Sequence, residues 1–209
     1  MTPRQLSRLG AGALALACLL GCAPIEVATA PRATPRSDVP AWSDPIDVAD
    51  FRTRYAERGG LRERCESDRP LDAAYMQADA ADWKALVELS GRWLERCPID
   101  IDFNRLRAKA LYEVRRMPES QDHMRWFREL VAAALASGDG SSAESAYVVL
   151  TVSEEYALMR ALEVTPLRQL WAPDGVHAYE VRSGAGRTST LYFNPSTRMS
   201  RLLHEAPLE

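Results

Sequence analysis

The adjacent acids Glu154 and Glu155 are the residues whose chemistry first calls for an explanation. Two carboxylates can divide acid and base work between them. On a helix, however, neighbouring side chains point about 100° apart and do not face each other. Ser153 before them is a good N-cap, and a first helical turn favours negative charge. They therefore read first as helix-start acids, with Tyr192 and either glutamate kept as ligand-binding candidates. Tyr192, Phe193, Trp171 and Tyr179 could floor a ligand pocket, although aromatic residues in strands more often belong to the core. Asp100, Asp102 and Asn104 alternate as at the opening of a calcium loop. The position that needs glycine is Arg105 and the closing glutamate is Leu111, so a helix start capped by an acid fits better. Ser137-Gly138-Asp139-Gly140 is glycine-rich, but it follows a helix and lacks the lysine of a phosphate loop. It reads as a structural junction. His123, His177 and His204 stand apart, with no Gly-x-Ser-x-Gly or His-Glu-x-x-His pattern. A serine nucleophile would need one of them oriented by a carboxylate. No catalytic residue, metal site or cofactor is assigned.

The elements that must position these groups follow from periodicity. Phe51 and Tyr55 lie four apart in a short helix closed by Gly59-Gly60, and residues 70–79 can form another. In 81–96, Trp83, Leu86, Val87, Ser90 and Leu94 recur on one helical face, and Pro98 ends the run. Phe103, Leu106, Ala110 and Val114 mark the next helix. Phe127, Leu130, Val131 and Ala134 mark a longer one, stopped by Gly138. After Gly140, "SAYVVLTV" reads as a buried strand, a helix follows from Ser153, and "PLRQLWA", "VHAYEVRS" and "STLYFN" read as strands joined by tight turns. Hairpins this short imply antiparallel neighbours. The expected fold is α+β: antiparallel helical hairpins over 47–140, then a β-rich region over 141–204 holding about four antiparallel strands and one helix, then a tail at 205–209.

Length and composition bound the rest. A chain of 209 residues, 46% hydrophobic and 26% charged, with a net charge of −3, is ordinary globular material. Basic residues are spread along it, which points away from a nucleic-acid partner. Arg4 and Arg8 precede the apolar run Leu9 to Leu20, too short to span a bilayer but right for an export signal. Leu19-Leu20-Gly21-Cys22 resembles the lipobox of bacterial lipoproteins. That resemblance implies a signal peptide over 1–21, thioether lipidation of Cys22 with palmitate-type acylation of the new amino terminus, and a membrane partner through the lipid. With Ala23 next, it implies an outer-membrane address, on the periplasmic face or cell surface, in a Gram-negative host. An ordinary secretory signal cut after Ala30 is the alternative. Residues 22–46 hold the lipidated cysteine and a tether rich in proline and alanine.

Cys18 leaves with such a leader, so Cys65 and Cys97 remain as the candidate disulfide in an oxidising compartment. Closing that loop stabilises by about 3–4 kcal/mol on the chain-entropy model.

"DWKALVELSGRWLERCP" followed by "IDFNRLRAKALYEVRR" resembles a tetratricopeptide helical hairpin through Trp83 after an acid and the closing Pro98. The proline expected one repeat later is missing. Over residues 70–194 the chain is similar to an uncharacterised family of exported bacterial proteins, catalogued as a domain of unknown function. Ser137 to Gly140, Val152, Glu154-Glu155-Tyr156 and Leu191 to Asn194 carry that likeness. The resemblance implies a fold and an envelope setting but no reaction. Three functions remain open. The first is a non-enzymatic envelope scaffold that binds a protein or peptide partner. The second is an envelope hydrolase gathering Glu154 or Glu155 with a histidine and a hydroxyl, and the third is a carrier of a small apolar ligand.

Overall fold

The computed structural model describes residues 39–195. The leader, Cys22, most of the tether, His204 and the 205–209 tail lie outside the described residues. The helical half starts where acids stand just before apolar periodicity. Asp47 accepts from the Asp50 N–H at 3.0 Å and opens α1 (Val48–Glu57). A short α2 (Leu61–Cys65) and α3 (Leu71–Asp79) follow. Asp82 caps α4 (Trp83–Arg96), and Asp100 caps α5 (Ile101–Glu113) at 3.1 Å from the Phe103 N–H. Pro118 sits in the first turn of α6 (Met117–Leu135), where its missing N–H costs nothing. Each long helix packs on the next through a short connection, so the neighbours run antiparallel.

The core forms where these helices meet. Leu86 and Leu94 of α4, Phe103 and Leu111 of α5, and Trp126 and Leu130 of α6 are all but sealed from solvent. The α6 face is shifted from its expected position. Trp126 is buried, whereas Phe127 and Val131 are half-buried, because α6 turns Ser120, His123, Trp126, Leu130 and Ala134 inward. Trp42 and Ile46, read from sequence as tether, pack against this core. The Trp42 ring lies 4.4 Å from His123 and 4.7 Å from Trp126, and its carbonyl accepts from the Trp126 indole N–H.

Four strands and one more helix complete the described fold, which is α+β. β1 (Tyr147–Val149), β2 (Val164–Leu170), β3 (His177–Ser183) and β4 (Thr188–Pro195) form one sheet in the order β1-β4-β3-β2. β2–β3 and β3–β4 are the expected antiparallel hairpins. The β1–β4 pair is parallel, which corrects the all-antiparallel expectation. The cause is α7 (Val152–Ala161), which carries the chain from one edge of the sheet to the other, so that β4 comes back beside β1 in the same direction.

The expected strand "SAYVVLTV" shrinks to three residues, since Val152 already belongs to α7. Thr151, not Ser153, is the N-cap, accepting from the Glu154 N–H at 3.1 Å. The Ser137 to Gly140 junction is tight. A Cβ on Gly138 would stand 2.3 Å from the Ser145 carbonyl oxygen, and Gly140 holds φ +66° under the Tyr147 ring. The Gly140 carbonyl also accepts from the Tyr192 N–H, which sews the loop to β4.

Candidate functional site

Four polar or open features stand out, and each is assembled from separate elements. The first is an ion cluster at the start of α5. Asp100 accepts from the Arg69 guanidinium at 2.8 and 2.9 Å and from the Trp93 indole N–H at 2.8 Å, besides capping its helix. Asp102, 1% exposed, accepts from Arg69 at 2.8 Å and from both arms of Arg160 on α7. Burial opposes the Asp102 charge, but Arg160 and Arg69 outweigh it and hold the carboxyl below its ordinary value. Arg69 answers in kind: burial works against its charge, and the two aspartates hold its pKa above the usual arginine value. The cation beside the Asp100 and Asp102 carboxylates is therefore a guanidinium fork, and Asn104 faces elsewhere, donating to the Pro98 and Asp100 carbonyls.

The second feature centres on His123. Its Nδ1 lies 3.0 Å from Asn104 Oδ1, and its Nε2 lies 3.0 Å from Arg107 Nε. Arginine only donates, so Nε2 accepts and Nδ1 carries the hydrogen. Burial, helped by the Arg107 charge, pushes this imidazole down to about 3. Arg107 also reaches the Val87 carbonyl across Gly91, where a Cβ would sit 2.7 Å from the guanidinium.

Glu154 and Glu155 form the third. Glu154 is buried and grips Arg52 of α1 through two 2.9 Å bonds, while its Oε2 also accepts from the Leu150 N–H. Glu155, fully buried, accepts from the Tyr179 hydroxyl at 2.9 Å, and its other oxygen lies 2.7 Å from His177 Nδ1. Burial raises the Glu155 pKa, with Tyr179 and His177 pulling partly the other way. The carboxylates point to different neighbours, as their helical spacing requires. Both are more than first-turn charges, since each ties α7 to another element. Tyr192 is not brought to them. It pairs with Ala178, and strand alternation puts it on the sheet face opposite Tyr179 and Glu155.

The fourth feature is a groove of about 450 Å³ between α5 and α6. Arg105, Ala108, Lys109 and Tyr112 line it from α5. Met117, Ser120, Gln121 and Met124 line it from α6. Each set follows the i, i+3, i+4, i+7 spacing of one helical face. The buried Ala108 and Ser120 let the helices approach, with the Ser120 hydroxyl donating to the Ala108 carbonyl at 2.7 Å. Tyr112 and Met117 remain exposed at 49% and 39%.

Cys65 at the end of α2 and Cys97 after α4 are joined by a disulfide, with Cα atoms 5.1 Å apart. It lines a small cavity with Arg69, Asp100 and Glu154. Among the described residues no three metal-ligating side chains gather. The arginines that organise these clusters, Arg52, Arg69, Arg107 and Arg160, are the functional-looking residues that sequence reasoning passed over. A buried arginine carries no local mark, although two acids at alternate positions signal the need for a counter-charge.

Comparison with known proteins adds a family and nothing closer. No curated protein and no solved structure gives a significant match. The pattern of one family covers residues 63–204, taking in the disulfide, the ion cluster, the groove and the Glu155–His177 pair, while Arg52 and Cys22 fall outside it. The chain belongs to that family, the domain of unknown function DUF4919.

Proposed function

We propose that the protein is a lipid-anchored component of the bacterial cell envelope, held through Cys22, whose folded body binds a protein or peptide partner without catalysing a reaction. The groove between α5 and α6 carries this reading: it is open, two helical turns long, and pairs the apolar surface of Tyr112, Met117 and Met124 with the cations Arg105 and Lys109. The buried acids favour it too, because Glu154, Asp100 and Asp102 are each locked to arginines that hold elements together. The anchor rests on Leu19-Leu20-Gly21-Cys22, and the Cys65–Cys97 bond suits an oxidising compartment. An outer-membrane address, on the periplasmic face or cell surface, follows if the host has two membranes.

A photo-crosslinking residue at Gln121 in intact cells should trap one reproducible envelope protein. The same residue at Arg187, on the β3–β4 turn, should trap none. Identical products at both positions, or none at either, would remove the reading. Cys22→Ser should move the protein out of the membrane fraction, and the native intact mass should include acyl chains.

One observation favours a hydrolase as the second reading. Glu155 does gather with a histidine and a hydroxyl, and His177 keeps 29% of its side chain exposed. The hydroxyl is Tyr179's and is bonded to the carboxylate, so a nucleophile would have to come to the far nitrogen of His177. Activated-ester turnover equal in wild type and His177→Ala would dispose of this reading.

A further inference from the structure

Resting on the partner-binding reading above, we propose that the α5–α6 groove docks an acidic amphipathic helix of a partner protein, with Arg105 and Lys109 as the cations that select it. The shape argues for a helix. Two antiparallel helices each offer one i, i+3, i+4, i+7 face to the same trough, and the trough runs for about 10 Å, two turns of helix. A third helix laid there rides over the seam that the buried Ala108 and Ser120 close, and meets the exposed Tyr112 and Met117 beside it. Met117 and Met124 supply unbranched, polarisable walls that adapt to the shape of an apolar side chain.

Charge decides which helix. The lining contains two cations and no carboxylate. Arg105 reaches only the Tyr75 hydroxyl at a long 3.4 Å, and Lys109 lies 5.1 Å from the centre of the Trp83 ring. Among the described residues neither has a carboxylate partner. This contrasts with Arg52, Arg69 and Arg160, all of which are paired. The two cations sit four residues apart, one above the other on α5, so they match carboxylates one turn apart on the incoming helix. Their aromatic neighbours, Tyr75 and Trp83, back them from the α3–α4 side.

The test uses the detergent-solubilised full chain and three short labelled helical peptides that share one leucine face. They differ in carrying Glu, Gln or Lys at the flanking positions. Fluorescence anisotropy should show the Glu peptide binding about tenfold tighter than the Gln peptide, with the advantage shrinking as salt rises. In Arg105→Glu combined with Lys109→Glu, the preference should invert toward the Lys peptide. Lys109→Gln alone, at an exposed position, should halve the logarithm of the effect and serves if the double variant melts early.

Equal binding of all three peptides to wild type overturns the acidic selectivity but leaves groove docking, and the partner-binding reading, standing. No binding of any peptide at millimolar concentration overturns the docking itself. Dimerisation lost in the double variant, or a Gln121 crosslink into residues 196–209 of the same chain, assigns the groove to another occupant and also overturns the proposal.

Discussion

Lowering the pH from 7.5 to 5 should cost this protein about 2 kcal/mol of stability through His123 alone. The side chain is 1% exposed, and its Nε2 already accepts from Arg107. Charging it would put a proton where a guanidinium N–H points, inside a site that excludes water. Burial and that neighbour take the folded value from 6.5 to about 3. The unfolded chain therefore binds the proton first. The stabilisation is whole above pH 6.5, falls as the pH drops, and is lost entirely near pH 3, where the accumulated loss is roughly 4–5 kcal/mol. Against a total of about 5–15 kcal/mol, that is a large share. At pH 5 the expected drop in melting temperature is about 4–8 °C for a chain of this size.

Urea titrations and thermal melts at pH 7.5, 6 and 5 should be run on wild type and His123→Asn, which keeps a donor for Asn104. The variant should be weaker at pH 7.5, because Arg107 loses its acceptor, but its loss on acidification should be smaller by about 2 kcal/mol. Groups common to both proteins cancel in that difference. Glu155 is one of them: its raised value makes it contribute in the opposite direction, its stabilisation being lost as pH rises from the ordinary glutamate range through the folded value. A variant whose stability falls as steeply as wild type would show that His123 is not held neutral and that the Asn104–His123–Arg107 geometry is misread.

Other perturbations test the remaining joints. Reducing agent, or Cys65→Ser, should lower stability by about 3–4 kcal/mol, read as a melting-temperature difference between oxidised and reduced samples; equal melts would contradict a formed bridge. Asp102→Asn should cost about 3–5 kcal/mol in urea unfolding, since it leaves Arg69 and Arg160 facing each other without their shared counter-charge; a loss under 1 kcal/mol would mean the cluster is solvated. Gly138→Ala should destabilise by about 1–3 kcal/mol, because the new Cβ meets backbone oxygens of Ser145 and Ala146 that cannot swing away. An unchanged midpoint would place the junction differently.

Much of the helical layer is legible in the chain because its causes are local. Asp82 and Asp100 announce α4 and α5 by capping, Pro98 separates them, and Leu86, Ser90 and Leu94 mark the buried side by spacing alone. The two late hairpins are legible for the same reason, each being a pair of β-rich runs around a short turn. Such features depend on residues within a turn or two of one another. The parallel β1–β4 pair and the partners of the buried charges do not. Arg52 meets Glu154 across 102 residues, and Arg160 meets Asp102 across 58. Nothing near Arg52 distinguishes it from the exposed Arg54 beside it, and nothing near Glu155 foretells His177. Those encounters exist only after the helices have packed and α7 has crossed the sheet. The groove is likewise a property of two faces, each ordinary alone, that become a site when Ala108 and Ser120 bring their helices together. Sequence by itself determined most of the helix and strand segments and where charge sits along them; the tertiary structure decided which charges are neutralised inside and which, like Arg105 and Lys109, are left without a carboxylate beside them among the described residues.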